Sequence, residues 1–199
     1  KLNIDFKNVI VVSAIKGITN NLIVLINKIR TGEKDKSNFL EEKIINVNSN
    51  LARQLDLDIS FLEEDYNFLR LMLKSSYLNL KDETKIVSMG ETFTAKILNQ
   101  YIVKLGYSTK FLDALDFIKC NQKNISLHNN GNFSVEKDII LNSLENNDMV
   151  IVPGFRGINS DKEICLMGRG GSDTTGSIIA SALQSNKYQI WTDVNGIYS

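Results

Sequence analysis

Apolar and polar positions along this chain alternate between two rhythms. Residues 8–13 read Asn-Val-Ile-Val-Val-Ser, a short continuous β-branched run of the kind that makes a strand buried on both faces. A tight loop follows at 14–20, and residues 22–29 place apolar side chains at helical spacing. Strand, loop and helix form half of a parallel α/β unit. From 33 to about 80 the chain is charged and polar. Within it, Leu40, Ile44, Val47, Leu51 and Leu55 make one stripe, and Leu62, Tyr66, Leu69 and Leu73 make a second. These predict two amphipathic helices. A third, longer helix is predicted over 85–105, with Ile86, Phe93, Ile97, Tyr101 and Leu105 on one side and Gly90 among them. The stripes are read as core packing.

The second half alternates more quickly. Strands are predicted at 107–112, 149–152, 163–166 and 188–192, and helices at 135–144 and 174–183. Residues 121–134 are rich in Asn and read as loop, with a short strand near 125–127. This order argues for a layered α/β sheet with helices on both faces. No internal repeat or linker divides the 199 residues, so one domain is expected.

Composition narrows the function classes. Lys plus Arg equals Asp plus Glu, at 23 each, which is a poor balance for holding a nucleic-acid backbone. No apolar run is long enough to cross a bilayer, and the first residues lack the pattern of a signal peptide. Cys120 and Cys165 have no metal-ligand spacing and read as reduced thiols of a cytoplasmic protein. His128, the one histidine, lies beside Asn129, Asn130 and Gly131 and reads as a solvated loop residue. Its isolation argues against a histidine-based nucleophile relay.

Residues 168–173, Gly-Arg-Gly-Gly-Ser-Asp, carry the clearest chemistry. Three glycines follow a strand and open a helix, so backbone amides can turn together toward a ligand. The positive end of the helix dipole adds to them, and phosphate is the natural guest of Gly170 and Gly171. Arg169 is a fixed cation that can also clamp a carboxylate. Asp173 is out of place in a pure anion site unless it positions a reacting group or caps the helix. A glycine-rich turn capped by Ser172 or Asp173 is the plain alternative.

Residues 13–20 repeat the theme at an earlier strand end, where Ser13, Gly17 and Thr19 could meet a ligand above the sheet edge. An ordinary strand-to-helix turn accounts for the same residues. Met89-Gly90-Glu91 puts a glycine inside a predicted helix, which costs about 1 kcal/mol relative to alanine and asks for a reason. Close approach of another backbone or a ligand is one. Glu91 could then bind an ammonium group, or could be a solvated acid. Residues 191–198 end a strand in Thr192 and Asp193 and turn at Asn195-Gly196, with Tyr198 able to cover a nucleotide. A plain β-turn is the alternative.

Taken in order, these segments resemble the aspartokinase branch of the amino-acid kinase family. The matching stretches are Val-Val-Ser-Ala-Ile-Lys-Gly-Ile-Thr-Asn at 11–20, Met-Gly-Glu at 89–91, Phe-Leu-Asp-Ala at 111–114, Pro-Gly-Phe-Arg-Gly at 153–157, Gly-Arg-Gly-Gly-Ser-Asp-Thr-Thr at 168–175 and Trp-Thr-Asp-Val-Asn-Gly-Ile-Tyr at 191–198. The resemblance spans the whole chain. It implies a three-layer αβα sandwich with a mostly parallel central sheet. It also implies transfer of the γ-phosphoryl of magnesium ATP to the β-carboxylate of L-aspartate, the first step toward lysine, threonine and methionine.

Carried over residue by residue, Thr19, Glu91, Phe155, Arg169 and Ser172 would surround aspartate, with Glu91 facing the ammonium and Arg169 a carboxylate. Asp173 would organise the reacting centre. Thr192, Asp193 and Tyr198 would contact the nucleotide beside Ser13, Gly170 and Gly171. No protein metal site is implied, the Mg2+ being held mainly by the phosphates. A homo-oligomeric parent enzyme in the cytoplasm is expected.

Two departures from the family pattern lead to further expectations. The family's first strand, ending in Lys-Phe-Gly-Gly-Thr-Ser, is missing, and so are the segment after Tyr198 and the regulatory ACT domains. The fold is therefore expected to be incomplete at both ends, with an apolar sheet edge at 9–12 and no activity for the piece alone. Leu115 stands where many relatives have arginine, and Lys16 where many have a small residue; neither has a functional reading. Other members of the family, acting on acetylglutamate, glutamate or a nucleoside monophosphate, are disfavoured by the helical insertion at 33–105 with Glu91. A non-catalytic sensor domain of the same fold is the rival from another class.

Overall fold

The computed structural model describes residues 7–75, 77–122, 126–127 and 132–192. Strand β1 (Asn8–Val12) leads into helix α1 (Ile18–Arg30). Helices α2 (Lys34–Gln54) and α3 (Glu63–Leu73) follow, separated by a 3-10 turn at Ser60–Leu62, then α4 (Leu80–Val87) and α5 (Met89–Lys104). The remainder is β2 (Thr109–Phe111), α6 (Ala114–Phe117), β3 (Ile118–Cys120), β4 (Phe133–Val135), α7 (Lys137–Glu145), β5 (Met149–Pro153), β6 (Arg156–Ile158), β7 (Ile164–Leu166) and α8 (Gly171–Ala182).

The main sheet is parallel, in the order β1-β5-β2. Every residue of β5 is buried, as its unbroken apolar run requires. One face of the sheet packs on α5: Ala95 and Ile102 meet Met149 and Ile151. The other face packs on α7 and α8: Ile140, Leu144 and Ile179 meet Val150 and Val152. Helix, sheet and helix are thus the three layers. A second, four-stranded sheet, β4-β3-β6-β7, joins antiparallel pairs β3/β4 and β6/β7 through one parallel contact. Helices α1 to α5 bury a separate core around Leu22, Ile44, Tyr66, Leu69 and Phe93. Both predicted stripes of residues 33–80 belong to it or pack against it. Among the described residues β1 pairs on one side only, with β5, and all five of its residues are half-buried.

Several boundaries differ from the sequence reading. The helix predicted over 85–105 is two helices meeting at Ser88, which ends α4 and opens α5. Gly90 is therefore in the first turn of α5 and not in a helix interior. The helix predicted at 174–183 begins at Gly171, so Gly171, Ser172 and Asp173 are its first turn. Strands β3 and β6, with the short α6, had no strong apolar run to announce them. The strand predicted at 188–192 is absent: these residues are exposed and pair with no described strand. Tyr188 instead donates its hydroxyl to the Asp173 carbonyl at 3.0 Å, which lays the segment on α8. Of the strand predicted near 125–127, residue 125 lies outside the described residues, as does His128; 126 and 127 form no strand.

Candidate active site

β1 and β5 are parallel and in register, Val12 opposite Pro153, so the loops after them leave the same sheet edge. The Gly154 amide bonds the Val12 carbonyl at 3.0 Å and ties the two loops together. A β-carbon on Gly154 would lie 2.8 Å from the Cα and Oγ of Ser172, so the first turn of α8 rests directly on this loop. A β-carbon on Gly171 would lie 2.6 Å from the Phe155 ring. These two glycines are small because the loops at 153–157 and 168–173 interpenetrate.

Phe155 has φ +72°, a left-handed backbone that is costly for a non-glycine residue. Two bonds hold it. Its amide donates to Thr175 Oγ1 at 2.9 Å, and its carbonyl accepts from the Met167 amide at 2.7 Å. Thr175 is fully buried and donates to the Gly171 carbonyl at 2.8 Å. One hydroxyl therefore joins the Phe155 loop to the glycine-rich turn.

Gly170 opens α8 with φ +71° and no side-chain cap, so neither Ser172 nor Asp173 caps the helix. The amides of its first turn are free to meet an anion. A β-carbon on Gly170 would meet nothing within 4 Å, so space lies open beside it. Arg169 is exposed and bonds no described residue. Gly17 likewise opens α1 in a left-handed conformation, with open space beside it. Two glycine-opened helix starts thus flank the sheet edge.

Glu91 lies in the first turn of α5, only 4% exposed. The Ala14 amide donates to its Oε1 at 3.4 Å, while Oε2 has no partner among the described residues. Burial pushes the carboxyl up to about 7; the Ala14 amide, the Arg156 charge and the Thr19 hydroxyl pull the other way. Gly90 makes the approach possible, since its β-carbon would lie 2.7 Å from that of Ala14. The close approach found at this glycine is by the side chains of Ala14, Ile18 and Leu22, not by another backbone.

The structure thus brings Ser13, Thr19, Glu91, Phe155, Arg169, Gly170, Gly171, Ser172 and Asp173 to loops or helix starts that pack on one another around one sheet edge. Thr192 is exposed beyond Tyr188 and lies outside any strand among the described residues. Asp193 and Tyr198 lie outside the described residues. Sequence reasoning passed over Arg156, Asp113, Ser88 and Thr175. Arg156 is buried and donates to Asp113 Oδ2 at 2.7 Å and to Ser88 Oγ at 3.3 Å. A lone basic residue two positions past Gly154, just after a buried strand, was the available signal.

The model of the amino acid kinase family matches residues 1–199. The chain belongs to the amino acid kinase family. An aspartokinase of Rickettsia bellii is 27% identical over 194 residues, covering 96% of this chain and 36% of that relative. One from Pseudomonas aeruginosa is 30% identical over 195 residues, covering 96% of this chain and 35% of that relative. The chain spans about a third of the length of these two family members. Among solved structures, E. coli aspartokinase III in complex with aspartate and ADP matches with TM-score 0.79 at 24% identity, over 96% of this chain and 43% of that one. At that identity the match establishes the amino acid kinase fold, helix layers included.

Proposed function

We propose that this domain transfers the γ-phosphoryl of ATP to the β-carboxylate of L-aspartate, giving 4-phospho-L-aspartate, the first step toward lysine, threonine and methionine. One observation carries the reading. A buried acid, Glu91, with one oxygen unpartnered among the described residues sits at the same sheet edge as an exposed guanidinium, Arg169, that bonds no described residue, and a helix start without a side-chain cap. A ligand with one ammonium group and carboxylates satisfies the first two, and phosphate suits the third. The curated relatives are named as aspartokinases, which agrees with this pairing.

In this reading Glu91 receives the ammonium of aspartate, and Thr19 supports Glu91. Arg169 and Ser172 orient a carboxylate, and Phe155 walls the site. The glycine-opened turn fits the phosphates of ATP, because its amides are uncapped and the space beside Gly170 is open. Gly170 and Gly171 would hold those phosphates, with Ser13, Thr192, Asp193 and Tyr198 around the nucleotide. Magnesium would be carried by the phosphates. When bound, ATP supplies the phosphoryl group and its metal neutralises charge. The chain supplies positioning: the acceptor is already an ionised carboxylate, so no general base is required. Asp173, exposed in the first turn of α8, would organise the reacting centre.

The test is aspartate-dependent ADP release by the full-length enzyme, with hydroxylamine trapping of the acyl phosphate. ADP and hydroxamate forming together support the reading. Tight aspartate binding without ADP release would favour a sensor domain.

A further inference from the structure

Arg156 is the first residue of β6 and directly follows Phe155. It is 4% exposed, yet among the described residues it has a single carboxylate partner, Asp113. Asp113 also caps α6, accepting from the Leu115 amide at 3.0 Å. The other arm of the guanidinium reaches Ser88, Oγ at 3.3 Å and the carbonyl at 3.5 Å. Nε has no partner among the described residues. A buried arginine satisfied this sparingly is a weak stabiliser compared with apolar packing. Its contacts have a pattern, however. Ser88 is the joint between α4 and α5, three residues before Glu91, and Arg156 itself prolongs the Phe155 loop.

We propose that Arg156 is a positioning residue of the substrate site: its guanidinium ties the Ser88 joint at the head of α5 to Asp113 and sets both the place of Glu91 and the charge balance around it. The proposal rests on the reading of Glu91 as the ammonium site. Arg156 is a charged side chain whose field acts on Glu91, drawing it toward the ionised form against burial. The same charge acts on Asp116, which burial and Asp113 push up and which Lys119 and Lys110 also pull down. From the loop after β1 and from α1, Glu91 meets the Ala14 amide and the Thr19 hydroxyl; Lys16 stands exposed on that loop. Four other titratable groups on elements packed against α5 are engaged elsewhere. Lys110 bonds Ser143, Glu41 pairs with Arg70, Glu83 pairs with Arg30, and Lys85 lies over Phe68. An ammonium ligand needs Glu91 charged at neutral pH, and Arg156 supplies the compensating field without touching the ligand.

Two readouts separate this proposal from the proposed function. The first is the carboxyl NMR titration of Glu91 in the full-length enzyme without substrate, with the signal assigned by Glu91→Gln. Arg156→Met should raise the Glu91 midpoint. Asp113→Asn, which removes the carboxylate competing for Arg156, should lower it; the rise in Arg156→Met is the direction that general loosening of the fold, which would hydrate Glu91, cannot produce. The second is the aspartate KM against pH. In Arg156→Met its rise toward low pH should begin at higher pH, while the KM for ATP stays within about 3-fold of wild type. A Glu91 midpoint unmoved in Arg156→Met, or raised in Asp113→Asn, overturns the proposal. Midpoints that move as stated in an enzyme that does not turn over aspartate contradict the proposed function and leave the Arg156–Glu91 link standing.

Discussion

A β-carbon on Gly90 would lie 2.7 Å from the Cβ of Ala14, closer than real carbons approach. That contact lets the Ala14 amide reach Glu91. Gly90→Ala must therefore push the loop after β1 away from α5. Overpacking of this kind costs roughly 1–3 kcal/mol. The expected outcome is a lower unfolding midpoint together with at least ~10-fold lower kcat/KM for aspartate. Unchanged kinetics in a destabilised variant would detach this contact from the site.

Arg169 and Glu91 should each matter to aspartate far more than to ATP. Losing a charged hydrogen-bond partner costs roughly 1.5–3 kcal/mol, so Arg169→Ala and Glu91→Ala should each raise the aspartate KM, or lower kcat/KM, by ~10-fold or more. Steady-state kinetics with each substrate varied checks this. Normal aspartate kinetics in both variants would sink the assignment.

The Glu91 carboxyl, pushed up to about 7, makes aspartate binding depend on pH. The ammonium needs the ionised form, so the aspartate KM should fall roughly 10-fold between pH 6 and 8 and level off above. Stability runs the other way. A carboxyl whose folded value is raised leaves the fold fully stable below its ordinary value of 4.5. That stability is lost as pH rises through about 7. Glu91→Gln removes the loss, so its advantage over wild type in urea unfolding should grow by up to roughly 3 kcal/mol between pH 5 and 8.

Thr175 holds the strained Phe155 and the Gly171 carbonyl with one hydroxyl. Thr175→Val keeps the shape and leaves the Phe155 amide without an acceptor, a loss of about 1–3 kcal/mol. Thr175→Ser should recover most of it. Equal unfolding free energies for Val and Ser at this position would contradict the clamp.

Much of this was legible in the chain. The β-branched runs at 8–12 and 149–153 announced the parallel core because a strand buried on both faces tolerates few polar residues. The glycines of the ligand loops were legible too, since each occupies space or a backbone conformation closed to other residues. Other features were not. Ser88 breaks the helix predicted over 85–105 through a backbone joint with φ −80° and ψ −2°, a conformation open to any residue. Strands β3 and β6 have three residues each, too few to show a period. Residues 188–192 have strand composition, but strands need partners, and Tyr188 is committed to α8. Arg156 was invisible as a site residue because its role depends on Ser88 and Asp113, which are remote in sequence and adjacent only in the fold.

The central claim is that Glu91 and Arg169 select aspartate as the phosphoryl acceptor. The most direct measurement is ADP release by the full-length enzyme with ATP and, in separate reactions, aspartate, glutamate, N-acetylglutamate and a nucleoside monophosphate. The account predicts turnover with aspartate alone, lost in Arg169→Ala. Turnover with any other of these acceptors in place of aspartate would contradict it.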